Sequence, residues 1–368
     1  MARWASLFDD VIMCGPLSRG PAPAGFSPYP FPVGFEELAP GGGNTRRAKL
    51  AMVRRIPGWA WRTRALARSV DAVYLRCPSN VGAVAAVATG GRTRYRCATY
   101  AGVWRDYPQE PRPYRYQRRL LSGRFFEGPV GVFAPRDPGA PRLEPLFSPS
   151  HDEREWRQRA PLADAVRARI AGVDRSGPWR LITVGRLTPN KNHTVALAAT
   201  RLLVDRGFEV SIDVVGDGPE RQRLEAESRS SGIADRVRFH GMVDHSRVLT
   251  LLAEADLQVL TTRQEGYGKV LLEGMVVGLV PILTDSPMAD DISGHGTRGE
   301  VVRADLPNEV ADAVESLIAD RGRWSSMADE ARRYAGTHTL EAYGARVREM
   351  LEHHWRVELP SPGAGLVT

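Results

Sequence analysis

Two observations predict an α/β fold spread over two domains. In the second half of the 368-residue chain, β-branched apolar runs alternate with segments of helical spacing, and the two halves carry opposite net charge. Residues 1–150 hold 22 Arg and Lys against 10 Asp and Glu, a net +12, whereas residues 151–368 come to −5. The alternation specifies a parallel sheet covered on both faces by helices, with ligands at the carboxyl ends of its strands. The opposite charges suggest two domains with different tasks. The length is sufficient for each to bury its own core, and 42% apolar with 25% charged residues is the composition of a soluble globular protein.

The elements follow in order. In the first half "DDVIMCG" (9–15), "DAVYLRC" (71–77) and "TRYRCATYAG" (93–102) read as strands. "GAVAAVAT" (82–89) reads as a small-residue helix and "SRGPAPAGFSPYPFPVGF" (18–35) as a Pro/Gly-rich loop, so a second α/β layer is expected there. The second half gives strands at 180–185, 210–216, 237–241, 257–262 and 280–285, each bounded by Gly or Asp, with helices at 195–207, 220–232, 246–255 and 269–278. Residues 308–355 are helical and "PSPGAGLVT" is a frayed tail. The join falls at "SPSHDEREWRQ" or "DRSGPW". The expected domains are therefore 1–150, a linker at 151–178, a second domain at 179–340, and a closing helix and tail at 341–368.

Several classes are excluded. Cys14, Cys77 and Cys97 form no C-x-x-C pair and leave an odd count, against a disulfide framework or zinc knuckle. A reducing cytoplasm suits them. The N-terminus meets Asp9 and Asp10 before a signal-like run develops, and no stretch stays apolar for the roughly 18 residues a span requires. The basic stretch "RRAKLAMVRRIPGWAWRTRALARSV" admits an interfacial membrane segment, a nucleic-acid surface or solvated helices. The last is favoured, because its Trp residues follow a Pro-Gly break and form no stripe. Nucleic acid is not the expected partner; an acidic or phospholipid-borne acceptor also suits this half, and contact with an anionic membrane surface stays open.

Lysine is nearly absent: Lys49, Lys191 and Lys269 are the only three among 50 basic residues. Where it persists, a compact ammonium on a flexible stem serves better than a planar fork. "VGRLTPNKNHT" carries a strand end into a helix, with Thr188 as a plausible N-cap before Pro189 at the first helical position. Arg186 and Lys191 there stand beside unpaired N–H groups and a partial positive charge, which makes an anion site. "QEGYGKVLLEG" repeats the pattern: Gly266 and Gly268 let backbone N–H groups approach a ligand, and a helix begins near Lys269. Two such turns at one sheet edge suggest a diphosphate. Glu265, in the turn, and Glu273, about two helical turns on, suit the hydroxyls of a sugar nucleotide.

These residues carry a resemblance. "VGRLTPNKN", "VVGDGPE", "VRFHGMV" and "LLAEADLQVLTTRQEGYGKVLLEGMVVGLVPILTD" resemble the donor-binding half of the retaining GT-B glycosyltransferases of family 4, over about residues 178–355. In the first half "VYLRCPSNVGAVAAVA" and "ATYAGVW" are similar more weakly. The resemblance implies two Rossmann-like domains facing each other across a cleft, and a sugar moved from a UDP- or GDP-linked donor to a hydroxyl of a glycan, lipid-linked or natural-product acceptor. It implies that Arg186 and Lys191 hold the donor diphosphate, next to Gly185. Gly266, Tyr267 and Gly268 then offer backbone groups, with Lys269 beside them, Glu265 holds the transferred sugar, and Glu273 the ribose. Gly241 and Met242 would meet the base, although Gly241 also reads as a strand end and Met242 as core. Glu265, Arg186 and Lys191 are the expected catalytic residues.

No metal or other cofactor is expected, since the chain has no D-x-D and two cations with a helix start can stabilise a leaving diphosphate. Retention follows from the resemblance, with front-face attack and no protein base, since only His151 of eight histidines lies in the first 192 residues. A non-enzymatic nucleotide-sugar or nucleic-acid binding protein on the same scaffold, and a sugar-nucleotide epimerase, are the alternatives. There are two departures. "SPMADDISGHGTRGEVV" stands where the family has a glycine-rich turn, and the opening "WASLFDDVIMCG" resembles the end of a first helix and a second strand. The first domain is thus expected to be short of its first strand, either natively or because an in-frame segment with an apolar strand and Gly-rich turn lies upstream.

Overall fold

The computed structural model describes residues 2–17, 29, 31–41, 43, 45–172 and 178–359. Two compact units emerge, residues 1–147 with 343–368, and residues 148–342. Most of the Pro/Gly-rich stretch at 18–35, most of "DRSGPW" and the frayed tail lie outside the described residues.

The first unit runs α1 (Ala2–Ala5), β1 (Ile12–Pro16), β2 (Gly34–Leu38), α2 (Arg46–Leu66), β3 (Ala72–Cys77), α3 (Asn80–Ala88), β4 (Tyr95–Tyr100), α4 (Arg112–Ser122), β5 (Val130–Val132) and β6 (Leu143–Pro145). The last four strands form a parallel sheet in the order β3-β4-β5-β6, and β1 pairs in parallel with β2. Leu75, Tyr100, Val130 and Val132 of this sheet bury themselves with Ala85 and Ala86 of α3 and Leu121 of α4. A Cβ at Gly131 would lie 2.1 Å from Leu146 Cδ1, so β5 needs glycine where it does.

Helix α2 corrects one expectation. Pro57-Gly58 does not break it; the helix passes through Pro57. Its start is capped by Thr45, whose hydroxyl accepts from the Ala48 N–H at 3.1 Å. Thr63 donates to the Trp59 carbonyl at 2.7 Å. Proline removes the N–H that would meet the Val53 carbonyl, but Val53 is exposed, so water can take that group. Trp59 is buried, with its indole N–H on the Ala39 carbonyl at 3.0 Å, while Trp61 is exposed.

The second unit holds α5 (Glu153–Gln158), α6 (Ala160–Ala171), β7 (Trp179–Val184), α7 (His193–Asp205), β8 (Val210–Val215), α8 (Arg221–Ser230), β9 (Val237–Gly241), α9 (His245–Glu254), β10 (Leu257–Leu260), α10 (Lys269–Val276), β11 (Val280–Thr284), α11 (Ala289–Ser293), β12 (Glu300–Val302), α12 (Pro307–Ala319) and α13 (Arg321–Thr337). A closing helix, α14 (Leu340–Trp355), starts here and returns to the first unit. All six strands are parallel, in the order β12-β11-β10-β7-β8-β9. The unit's first strand therefore lies beside its fourth, and the winding reverses between β7 and β10. α7, α8 and α12 pack together as one helical layer, and α6, α9, α10 and α13 as another. Val, Ile and Leu from every strand are buried between them, which is why these strands read as continuous apolar runs.

Residues 151–172, expected as linker, are part of this unit's body. Asp152 and Glu155 cap α5 reciprocally, at 2.6 and 3.0 Å. α6 buries Ala163, Val166 and Ile170. His151, expected in that linker, is buried, its Nε2 at 2.9 Å from the Ala335 carbonyl. No helix among the described residues is long and apolar enough to cross a membrane.

Candidate functional site

Two turns leave the sheet where its winding reverses, residues 185–192 after β7 and 261–268 after β10. The first does not enter its helix at Thr188: α7 starts at His193, four residues beyond the expected Pro189. Thr188 accepts from the Lys191 N–H at 3.0 Å through its carbonyl, closing a turn rather than capping a helix. Asn192 then takes the left-handed conformation, φ +53°, held by its side chain donating to Asp305 Oδ1 at 2.9 Å.

Bonds between the two turns hold them side by side. Asn190 Nδ2 donates to the Gln264 carbonyl at 3.0 Å, and the Arg263 N–H to the Asn190 carbonyl at 2.9 Å. Arg263 also reaches the Pro189 carbonyl at 2.8 Å, and Thr261 Oγ1 donates to the Asn192 carbonyl at 2.9 Å. Across this seam Lys191 Nζ meets Glu265 Oε2 at 2.6 Å, with the two side chains 26% and 20% exposed. Arg186 is exposed on the same turn, and no carboxylate among the described residues pairs with it. Gly185 anchors the turn to β8, its N–H donating to the Val215 carbonyl at 2.9 Å.

In the second turn Glu265 Oε1 accepts from the Gly266 N–H at 3.2 Å. Tyr267 is buried; its hydroxyl lies 3.3 Å from that of Tyr334, which donates to Asp291 Oδ2 at 2.6 Å. Burial pushes the Tyr267 phenol well above its usual range. Gly268 has φ +76°, a conformation costly for any side chain, and a Cβ there would lie 2.9 Å from Leu271 Cδ1. Helix α10 begins at the next residue, exposed Lys269. Glu273 stands one turn into that helix, where burial raises its carboxyl above the ordinary range against the opposing charges of His245, Lys269 and Arg159.

Gly241 and Met242 lie elsewhere on the sheet, at the end of β9, two strands from β7. Gly241 has φ +68° and its carbonyl accepts from the Gly216 N–H at 2.9 Å. Met242 is 70% exposed, so its reading as core is wrong.

Three further residues shape the edge. A Cβ on Gly216, φ +131°, would lie 2.0 Å from the Gly185 carbonyl oxygen, and one on Gly218 2.4 Å from that of Leu187. The loops after β7 and β8 touch backbone to backbone, which only glycine allows. "VVGDGPE" carries that signal, but not which backbone approaches. The third is His193, the first residue of α7, with Nδ1 at 3.2 Å from Thr183 Oγ1. Burial lowers its imidazole to about 4, against the Arg186 backbone and with the Lys191 charge adding to the shift. It is neutral at pH 7. A histidine just after a lysine in a helix-entry turn was the available clue. Among the described residues no group of three or more His, Cys, Asp or Glu is arranged to hold a metal ion.

Comparison with known proteins agrees with this architecture. Residues 168–335, which lie within the second unit, match the family described as Glycosyl transferases group 1. Alpha-D-kanosaminyltransferase of Streptomyces kanamyceticus is 32% identical over 165 residues, 45% of this chain and 43% of that protein. The GDP-mannose-dependent alpha-(1-6)-phosphatidylinositol monomannoside mannosyltransferase of Mycobacterium tuberculosis is 29% identical over 183 residues, 48% of this chain and 43% of that one. The matched segment thus spans less than half of each of these two relatives. Among solved structures, Anabaena HepE in complex with UDP superposes with a TM-score of 0.67 at 17% identity, covering 94% of this chain and 100% of that one. The fold is a GT-B-like α/β fold.

Proposed function

We propose that the protein moves a sugar from a UDP- or GDP-linked donor to a hydroxyl of a glycan, lipid-linked or natural-product acceptor, with retention of configuration and without a metal. One observation carries the reading. Lys191 and Glu265, from two motifs distant in the chain, meet at 2.6 Å where the parallel sheet reverses, the place at which open α/β sheets bind ligands. The names of the relatives, two sugar transferases, one of them GDP-mannose-dependent, support it, as does UDP in HepE.

In this reading Arg186 and Lys191 hold the diphosphate, and the backbone of Gly266, Tyr267 and Gly268 faces phosphate and sugar. Glu265 takes the sugar hydroxyls and Glu273 the ribose. Gly241 and exposed Met242 meet the base. The bond from the anomeric carbon to the diphosphate breaks as the acceptor oxygen adds on the same face, and the acceptor proton passes to the departing phosphate oxygen. The charge that develops on the diphosphate is met by two fixed cations and the backbone N–H groups of the turn, in place before the reaction. Donor arrival must compete with the existing ion pair: phosphate takes Lys191, and the sugar hydroxyls take Glu265.

Thermal stabilisation by UDP, GDP, ADP and dTDP, followed by turnover assays with sugars on the base that binds, tests this. One diphosphate should raise the melting temperature and its sugar conjugate should turn over; no stabilisation by any of the four would overturn the reading.

A further inference from the structure

Helices α2, α3 and α4 enclose a groove of about 880 Å3 that lies wholly within the first unit. Small-molecule sites occupy roughly 300–1,000 Å3. Ile56 and Trp61 of α2, Val87 of α3 and Tyr116 of α4 line it. Trp61 is 69% exposed, Val87 60% and Tyr116 59%, so three large apolar groups surround one concavity while facing water.

The charge around the groove is mainly positive, although Glu36 pairs with Arg62, and Glu110 and Asp106 with Arg115 and Arg118. α2 contains seven Arg and Lys and α4 four, and α2, α3 and α4 contain no acidic residue. Arg64 and Arg68 themselves line the groove; both are exposed, and no carboxylate among the described residues pairs with either. Most of the lining side chains are apolar, and Gln117 Oε1 already accepts the Ser79 N–H at 2.9 Å. Stacked bases would want a flat aromatic platform, whereas this groove is concave and lined mostly by apolar side chains, with Arg64 and Arg68 beside them. Its complement is a molecule with a hydrocarbon part and an anionic head. Trp and Tyr at the lip, one end apolar and one wet, match the boundary of a bilayer, and arginine stems can lie along apolar surface with their heads on phosphate.

We propose that this groove takes the hydrocarbon chain of an anionic bilayer lipid, with Arg64 and Arg68 on its phosphate. The inference concerns the first unit and does not depend on the activity proposed for the second.

Co-sedimentation of the full chain with vesicles of phosphatidylcholine, alone or mixed with phosphatidylglycerol, tests it without any nucleotide present. Binding should need phosphatidylglycerol. Arg64→Ser and Arg68→Ser should each lower it about five-fold, the scale of one basic side chain at an anionic surface, and Trp61→Ser and Val87→Asp about ten-fold through lost apolar burial. All four positions are exposed, so melting temperatures should hold. Equal binding to neutral vesicles, or binding that none of the variants changes, would overturn the proposal. Loss with the arginine variants alone would reduce the contact to surface adsorption and remove the chain from the groove. Self-association abolished by the same substitutions, with no vesicle binding, would assign the groove to a second copy.

Discussion

Lys191 and Glu265 stand 74 positions apart and meet in one ion pair. The near-absence of lysine singles out both turns in the sequence; the pairing is not legible there, because nothing in a sequence states that two turns share a seam. The pair gives the two glutamates different expectations. Glu265→Ala frees Lys191 for phosphate, so a free nucleotide diphosphate should bind no worse, while the intact sugar donor loses affinity and turnover. Glu273→Ala should weaken both alike, because the ribose is common to them. Titration of each variant with nucleotide and with donor separates the cases; equal losses for Glu265→Ala would remove it from the sugar. Residue chemistry also misled. Thr188 before Pro189 has the form of a helix cap, yet the stitching of Asn190 and Asn192 to the neighbouring turn delays the helix to His193.

At the scale of elements, β7 to β11 and the helices between them were legible because strands buried on both faces are long β-branched runs. β5, β6 and β12 were not, having three residues each, too few for a period to show. β2, "GFEEL", buries only Leu38 and so lacks an apolar signature. α4 carries four arginines and turns in only Gln117 and Leu121. The entry to α7 has a pH signature. His193 is lowered from 6.5 to about 4 in the folded state, so it stays neutral there while the unfolded chain takes up a proton below 6.5. Its contribution is therefore complete above pH 6.5 and is lost as pH falls toward 4, by about 3 kcal/mol in all. Urea unfolding of the protein and of His193→Gln across that window should show the difference between them shrinking as pH falls; a pH-independent difference would show the shift to be absent. His151 and His338, lowered in the same direction by burial, contribute equally to both proteins. The backbone contact after β8 gives a second expectation. Gly216→Ala must place a methyl against the Gly185 carbonyl in a left-handed backbone, and should cost about 2–4 kcal/mol. Loss below about 0.5 kcal/mol, the level of a surface change, would mean that the loops part easily.

At the scale of the molecule, the contrast between a basic first half and an acidic second half pointed to two domains, and the structure divides into two units. The boundary at 151–178 was misplaced because polar, turn-forming residues mark helix caps as readily as linkers; Asp152 and Glu155 are a capping box. Each unit offers cations of its own: paired and unpaired ones at the sheet edge of the second, unpaired ones around an apolar groove in the first. With two cations serving the diphosphate, EDTA should leave turnover nearly intact, and a loss restored by a divalent ion would contradict metal-free transfer. The central claim is that the seam between the two turns binds a nucleotide diphosphate. Calorimetric titration of UDP and GDP into the protein and into Lys191→Ala and Arg186→Ala tests it most directly. Each variant should lose about 1.5–3 kcal/mol of binding, the scale of one charge-assisted contact, with its melting temperature unchanged; titration curves identical to those of the unaltered protein would place the diphosphate elsewhere.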